Sequence, residues 1–469
     1  MIRPLISVIL CYMLFPGFLF SEPIEFSELW NRVLENSSAQ KAKHSEWKAS
    51  EIAKSRSDQH WLPRIYADVR TYRTNDPGLN FMGKLGQRSV TESDFSTQSM
   101  RTRPGNFLDS NNQPYTNLNS DTMNVFAKDQ LNDPGYNTYS KAALGLDLPL
   151  YEGGAGENLR RIQDKKTTAL FLEKESVKDK EYSRSGYLYR GIQSVNDYLK
   201  KLEDTKKANV RFLQSYGLRH RSNPVGYSGY LALKNLDHRL SSMISEANAC
   251  LYEWKENLSV LSGMSSSDLF LQDENLFSFM EKYFPKGESD ESNFSKSMTH
   301  YAEGEEIKSD LEMSKFLPKF GLYSETNTYG GSRNTQSAYN AGVYLQMNLY
   351  HPKDQGVVEE AKLNAYAFRQ KLEELKKQED LKIKSLNRQE ISLKESYSLI
   401  SDSVRYQEEQ NEYMLKLYQN GNVNAMQFAE ALNRSADTYS RLLEVELGLL
   451  QVRTEQYMFR QKESIHEKK

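Results

Sequence analysis

The stretch KSRSDQHWLPRIYADVRTYRTN, residues 54–75, decides the fold because a second stretch of the same design, KSDLEMSKFLPKFGLYSETNTY, occupies residues 308–329. In both, sequence typical of a helix ends at Leu-Pro, a basic residue follows, and apolar and polar residues then alternate. A second pair aligns LGLDLPLYEGGAGENLRR, residues 144–161, with VYLQMNLYHPKDQGVVEEAK, residues 343–362. The chain is therefore predicted to contain one unit twice: a helix, a Leu-Pro hinge, two strands and a long helical hairpin.

The repeat sets the predicted domain boundaries. A first structural repeat covers 22–263 and a second covers 294–460, each with a helix, two strands and a helical hairpin. The connector 264–293 between them is polar and aromatic, and the tail 461–469 is polar and solvated. The first repeat alone carries an insertion between its strands, 76–138, which is rich in Asn, Ser, Thr, Asp and Gly and is predicted to be a long loop.

Residues 1–21 have the pattern of a secretory signal peptide, with cationic Arg3, an apolar run and then polar sequence. Cleavage is expected near Ser21. A retained membrane anchor is the alternative, because the small-residue cleavage site is a poor match and a Pro-Gly pair interrupts the apolar run. After cleavage Cys250 would be the only cysteine, which leaves no intramolecular disulfide.

Four segments alternate with period two and are predicted strands, those of the second repeat at 319–329 and 339–350. One face of each segment is apolar and the other carries charges, amides and tyrosines, as in membrane-barrel strands with lipid outside and water inside. The residues predicted to face lipid are Leu144, Leu146, Leu148, Leu150, Val343, Leu345, Met347 and Leu349. An ordinary half-buried soluble sheet has the same alternation and is the alternative.

Four strands are too few to close a water-filled barrel, and an open sheet leaves backbone groups unpaired in lipid. If the strands span a membrane, several copies of the chain must share one barrel. Three copies would supply twelve strands, an even number within the range of known barrels.

Each strand pair is followed by a Gly-containing turn and an unusually long helical pattern, which predicts hairpins at 156–262 and 355–460. The first helix of each hairpin has no proline after its first residues, and at 1.5 Å per residue it would reach ~90 Å. A narrow apolar seam among lysines and glutamates runs along the second. Coiled-coil packing is therefore expected.

Composition excludes several classes of function. Only 38% of the 469 residues are hydrophobic, 26% are charged, and the net charge of −2 gives no general attraction to nucleic acid. The seven histidines have no metal-ligand spacing, and phosphate-binding and nucleophile-turn motifs are missing. We expect no enzyme, no cofactor and no bound metal, so any export would take its energy from a partner.

The ordered duplicate set resembles the TolC-like outer-membrane efflux proteins. The resemblance rests on the two Leu-Pro strand entries and on the two Leu-Tyr strand exits with their helix starts. It rests also on the turn LYQNGNVNAMQFAEAL, residues 417–432, which resembles that family's second hairpin tip. The resemblance implies an α+β membrane protein: a homotrimer with a twelve-stranded β-barrel in the outer membrane and a coiled-coil tunnel across the periplasm. It also implies a periplasmic adaptor and an inner-membrane pump, for efflux or type I secretion.

The resemblance also implies where a periplasmic gate lies. Two acidic positions after the second tip of the family are Gln427 and Glu430 here, so one acid is replaced by an amide. Three copies of Glu430 would place carboxylates around one axis and favour cations; a solvated helix-face residue is the alternative. Tyr216 and Tyr418 end the two long helices at matching places and are candidates for contacts across the closed aperture, with simple packing as the alternative.

The two tips are the expected adaptor-docking regions. The first tip is the longer and carries three basic residues where the family has a short turn; a solvent-facing basic loop is the alternative interpretation. The docking candidates are Arg219, His220, Arg221, Asn420, Gly421, Asn422 and Val423. Pro63 and Pro318 are the candidate strand-entry hinges. A periplasmic coiled-coil adaptor or structural rod is the rival function, and metal ions, small toxic compounds and polypeptides all remain open as cargo.

Overall fold

The computed structural model describes residues 23–95, 108–114, 129–218, 220–286, 291–420 and 422–459. The predicted signal peptide, Arg219, Gly421 and the predicted tail lie outside the described residues, as do parts of the insertion and of the connector. Contacts divide the chain into two units. A helical unit comprises Met1–Ser50, Lys166–Ala302 and Phe368–Lys469, and a sheet unit comprises Glu51–Lys165 and Glu303–Ala367.

The sheet unit contains one four-stranded antiparallel sheet in the order β1-β2-β3-β4. Its strands are β1 (Arg64–Thr74), β2 (Asn137–Glu152), β3 (Lys319–Gly331) and β4 (Thr335–Gln346). β1 and β3 begin directly after Pro63 and Pro318, because a proline has no N–H to give to a strand pair. The starts of β1 and β3 and the ends of β2 and β4 lie at one end of the sheet, and the β1–β2 insertion and the β3–β4 turn connect the strands at the other, loop-bearing end.

The last strand differs from its predicted span of 339–350. It begins at Thr335 and ends at Gln346, whose partner is Lys319, the first residue of β3. β3 has no further residue to pair with the chain after Gln346, so Met347 and Leu349 lie beyond the strand, exposed. Leu150 also departs from simple alternation, because the pairing of β2 with β3 shifts register between Pro149 and Tyr151.

The insertion predicted as a loop at 76–138 contains secondary structure in its described part. Helix α3 (Pro77–Gly86) begins directly after β1, and a short 3₁₀ helix follows at Glu92–Phe95. Asp76 caps α3 by accepting a 2.7 Å hydrogen bond from the amide of Leu79, and Pro77 occupies the first helical position. An Asp-Pro pair is a helix-start signal, which the polar composition of the insertion obscures.

The remaining helices match the predicted repeat closely. They are α1 (Phe26–Asn36), α2 (Ser38–Ser57), α4 (Ala155–Ser215), α5 (Pro224–Ser262), α6 (Leu276–Tyr283), α7 (Asn293–Met313), α8 (Val357–Gln419) and α9 (Ala425–Gln456). α4 with α5 and α8 with α9 form the two hairpins. Within the described residues, no helix has both the length and the apolar character that crossing a membrane requires.

Glycines form the turns that connect a strand to the long helix after it. Gly153 and Gly154 adopt φ of +68° and +84° before α4, and Gly356 adopts +80° before α8. Other residues rarely take this left-handed conformation, so the Gly-containing strand exits are required for the turn. A Cβ at Gly153 would also lie 2.6 Å from the carbonyl oxygen of Ser314.

The helical unit has two main apolar clusters. One gathers aromatic residues of α1, α4 and the connector around Phe26, Tyr189, Phe279 and Phe284, all nearly fully buried. Three aromatic residues of the connector, Phe279, Tyr283 and Phe284, therefore belong to a core, whereas Phe270 is exposed. The second cluster, which includes Phe212, fills the ends of both hairpins.

Candidate functional site

The two faces of the sheet differ in chemistry. The register places Ile65 opposite Leu146, and Leu322 opposite Leu148 and Val343, so the apolar residues of all four strands share one face. This face is uncovered in one chain, with Leu144 60% exposed and Val343 66% exposed. So large an uncovered apolar surface must meet lipid or another protein.

The opposite face carries ion pairs and tyrosine hydroxyl groups. Tyr66 on β1 donates a 2.7 Å hydrogen bond to Glu325 on β3 and crosses Gly145 on the strand between them. A Cβ at Gly145 would lie 2.2 Å from the ring of Tyr66, so the glycine is what allows this bond. Lys141 lies 3.7 Å from the same carboxylate. Polar groups satisfied along one face are typical of a water-filled barrel interior.

Both edges of the sheet are open in a single chain. The sheet has four strands, and β1 and β4 each have one strand partner within the part of the chain that the structure describes. Their outer backbone N–H and C=O groups are therefore available to another chain.

Helix α3 covers part of the polar face, at the end of the sheet that carries the loops. Gly83 lies against the ring of Tyr139 and Gly86 against the ring of Tyr329. Asp94, 2% exposed, accepts hydrogen bonds from Lys84 on α3 at 3.0 Å and from Arg333 in the β3–β4 turn at 2.6 Å and 2.8 Å. Burial alone would raise the pKa of Asp94, but its hydrogen bonds from Arg333, the amide of Thr91 and Lys84 hold that pKa well below its usual range.

The hairpin ends of the helical unit enclose an aromatic cluster, which contains both tyrosines predicted as gate candidates. Tyr216 is buried and donates a 2.9 Å hydrogen bond to the carbonyl oxygen of Gly226 in its own tip. Tyr418 is half-buried, its ring centroid 4.3 Å from that of Phe212. Burial raises the pKa of both phenols. The arrangement in one chain is that of packing residues, the alternative interpretation of these tyrosines.

Gln427 and Glu430 lie at the start of α9 with different partners. The amide of Gln427 donates to the side chain of Asn424 at 2.9 Å, and the side chain of Gln427 accepts from the Asn424 amide at 3.1 Å, so both form a capping box. The side-chain amide oxygen of Gln427 accepts this hydrogen bond as the carboxylate of a glutamate would. Glu430 is exposed and lies 3.2 Å from Arg434 one turn later.

Most docking candidates are exposed in the two turns. His220 lies with its Nδ1 3.2 Å from the hydroxyl of Ser222, and Arg221 lies 5.9 Å from the centre of the Tyr227 ring. In the second tip, the amides of Asn420 and Asn422 donate to Lys416 and Leu417 carbonyl groups. Val423 is half-buried.

The two tips are joined through their return helices. The guanidinium of Arg239 on α5 bridges Asn433 and Asp437 on α9, at 2.5 Å to each. A Cβ at Gly229 would lie 2.9 Å from the Cβ of Ala425, so the glycine permits a close approach of the two helices at this point. These contacts fix the tips to each other within the chain.

No cluster of three or more His, Cys, Asp or Glu side chains is placed to hold a metal ion in the described part of the chain.

Solved structures similar to this chain include outer-membrane channels of bacteria. The chain is similar to the CmeC outer-membrane channel of Campylobacter jejuni, with a TM-score of 0.71 over 94% of this chain and 87% of that chain at 13% identity. It is similar to CusC, described for transmembrane channel formation, with a TM-score of 0.70 over 93% and 92% at 12% identity. The outer-membrane protein VceC of Vibrio cholerae gives 0.64 over 92% and 93% at 10% identity.

No protein-family model matches the chain, and no curated protein matches its sequence. At such low identity the structural similarities show the fold alone. That fold is the one the resemblance to TolC-like proteins implied, with a helical part and a small four-stranded sheet.

Proposed function

We propose that this chain is the outer-membrane exit duct of a tripartite efflux or type I secretion system. It is a passive channel and not an enzyme, located in the outer membrane and extending into the periplasm. The single observation that carries the proposal is the sheet, with its uncovered apolar face, its polar opposite face and its two open edges, on a fold shared with outer-membrane channels.

The open edges support a homotrimer. In lipid, unpaired backbone groups are too costly, so β4 of one copy must pair with β1 of the next until the sheet closes. The four strands alternate in direction, so this new pair is antiparallel like the others. Three copies make a twelve-stranded barrel with lipid against the apolar face.

The long hairpins supply the periplasmic part. Their tips are the surfaces that an adaptor, itself coupled to an inner-membrane pump, would contact, through Arg221 and His220 on one side and Asn420, Asn422 and Val423 on the other. Because α5 and α9 are tied together at Arg239, an adaptor that moves one tip would move both.

Glu430 is the candidate for an acidic ring at the gate. Its side chain is exposed in the single chain, and Arg434 beside it offsets part of its charge. The ring is therefore expected to favour cations only weakly. Gln427, held in its capping box, contributes no charge.

Purification in detergent tests the proposal. The expected result is a heat-labile trimer in the outer-membrane fraction that conducts ions in a planar bilayer. Recovery from the soluble periplasm as a monomer without conductance would overturn the duct and favour the rod or adaptor function. If the trimer is found, cross-linking from Arg221→Cys and Asn422→Cys should capture the adaptor. The pump bound to that adaptor would define the cargo.

A further inference from the structure

Helix α3 turns polar and small residues toward the sheet and apolar residues away from it. The residues that it turns toward the sheet are Asn80, Gly83 and Lys84, all buried. Its large exposed hydrophobic residues, at spacings of three, are Leu79, Met82 and Leu85, at 50%, 61% and 50% exposure. A helix on a protein surface normally does the reverse and buries its apolar stripe. The three exposed residues, here called the α3 stripe, therefore need a partner.

Helix α3 is firmly held in this orientation. Asn80 accepts hydrogen bonds from Asn137 at 2.7 Å and Tyr139 at 3.0 Å, and it donates to the carbonyl oxygen of Thr74. The Lys84–Asp94–Arg333 cluster fixes the other end of the helix. A Cβ at Gly83 would lie 2.6 Å from the ring of Tyr139, so helix and sheet approach closely. These contacts therefore fix the outward direction of the α3 stripe.

The face beneath α3 is the polar one. Tyr329 pairs directly with Lys141, and Tyr139 lies on the same side of β2 as Lys141. In a barrel with lipid against the apolar face, α3 is therefore inside. It lies at the outer mouth, because Tyr139 and Tyr329 are two residues from the loop-bearing ends of their strands.

The space inside such a barrel is limited. Twelve strands about 4.8 Å apart and tilted by about 40° give a backbone radius of about 12 Å. A helix with its side chains is about 10 Å across, so one helix on the wall reaches nearly to the axis.

We propose that the three copies of the α3 stripe contact one another on the axis and form an apolar closure at the outer end of the duct. This inference rests on the proposed trimeric duct and adds a second closure, distinct from the periplasmic tips. Within the part of the chain that the structure describes, the strand residues of the inner wall are mostly polar, so the partner assigned to each stripe is the same stripe in the other copies. An apolar constriction of this kind excludes water and ions while it is closed.

Cross-linking tests the contact. Met82→Cys is made in a Cys250→Ser background, so that residue 82 carries the only thiol of the mature chain. The purified trimer of this variant is treated with a short bis-maleimide and then heated. Covalent dimers are expected on a denaturing gel. Val69→Cys is the matched control, since Val69 is 73% exposed but lies on the apolar face of β1, and it should remain monomeric. Leu85→Cys replaces Met82→Cys if the latter does not assemble.

A second variant measures the packing of the stripe. Leu79→Ser, Met82→Ser and Leu85→Ser together should lower the dissociation temperature of the trimer by about 5 °C, because apolar contacts between copies are lost. Leu159→Ser, also 50% exposed but on α4, should leave it unchanged. A heat-labile trimer without cross-links at residues 82 or 85, and with no temperature change, overturns the closure and leaves the duct intact. A chain that forms no trimer at all overturns the proposed duct itself.

Discussion

Glu390 on α8 shows how a single buried charge holds helices and connector together. Its carboxylate is 5% exposed and accepts hydrogen bonds from Arg453 at 3.0 Å and Gln456 at 3.0 Å, both on α9. Lys394 lies 2.8 Å away, and Arg453 also donates to the carbonyl oxygen of Phe284 in the connector. Burial alone would raise the pKa of Glu390, but the hydrogen bonds and positive charges lower it from 4.5 to about 2.

Glu390→Gln is expected to destabilise the helical unit by about 3 kcal/mol at pH 7, because Arg453 keeps its burial and loses its counter-charge. The lowered pKa means that the carboxylate stabilises the folded state above its unfolded pKa near 4.5, and that this contribution is lost as the pH falls toward 2. Thermal unfolding followed by circular dichroism should therefore show a large difference between variant and parent at pH 7.

That difference should shrink as the pH is lowered from 4.5. Glu444→Gln is the control, because Glu444 is exposed and pairs only across one helical turn with Arg441. Its effect should stay within about 0.5 kcal/mol. A difference for Glu390→Gln that does not depend on pH would contradict the assigned role of its charge.

At the scale of elements, the start of α9 depends on its capping box. Asn424→Ala should destabilise this tip by about 1 kcal/mol, because the amide of Gln427 loses its acceptor. Amide hydrogen exchange at the first turn of α9 is the measurement, and faster exchange confined to that turn is expected. Asn422→Ala, in the same turn of chain, keeps its backbone bond to Leu417 and should exchange as the parent does.

The apolar face of the sheet can be tested in the same way. Leu146→Arg should sharply reduce the amount of trimer in the outer membrane, since an arginine on a lipid-facing strand costs about 2–4 kcal/mol near the bilayer centre. Asn340→Arg, exposed on the polar face of β4, should assemble normally. Equal yields of the two variants would count against lipid on the apolar face.

The elements themselves followed from the sequence to within a few residues because their signals are local. Alternation, Leu-Pro entries and Gly-containing exits each act on a few neighbouring residues, and the long hairpins agree with the predicted spans. The predicted end of β4 was wrong, since a strand stops where its partner stops, and Gln346 already faces Lys319. That limit depends on pairing between distant residues and not on the apolar sequence that continues to Leu349.

The candidate site was less predictable than the fold. In the folded tip, Gln427 completes a capping box and Tyr216 donates to the carbonyl oxygen of Gly226, and spacing alone does not reveal either partner. The sequence-based prediction of a loop omits α3 although Asp76-Pro77 marks its start, because the polar composition of the insertion is typical of a loop. The Lys84–Asp94–Arg333 cluster depends on Arg333, which is far from the other two residues in sequence, so no local pattern predicts it.

At the scale of the whole molecule, assembly is expected to be an all-or-none event. Native mass spectrometry of the detergent-extracted protein should show three chains and no stable dimer, because two copies leave the shared sheet with an open edge in lipid. Co-expression of tagged and untagged chains is the control for subunit composition, because trimers that contain both kinds of chain must then form. A stable dimer would contradict closure by edge pairing.

The open edges of β1 and β4 also have a consequence for biogenesis. If the chain assembles as proposed, each copy carries two unpaired strand edges beside an uncovered apolar face until three copies meet, and such a surface is a template for aggregation. We expect a holding chaperone to shield the sheet during transit, and its depletion to divert the chain to proteolysis. The yield of duct would then depend on how quickly three chains find one another.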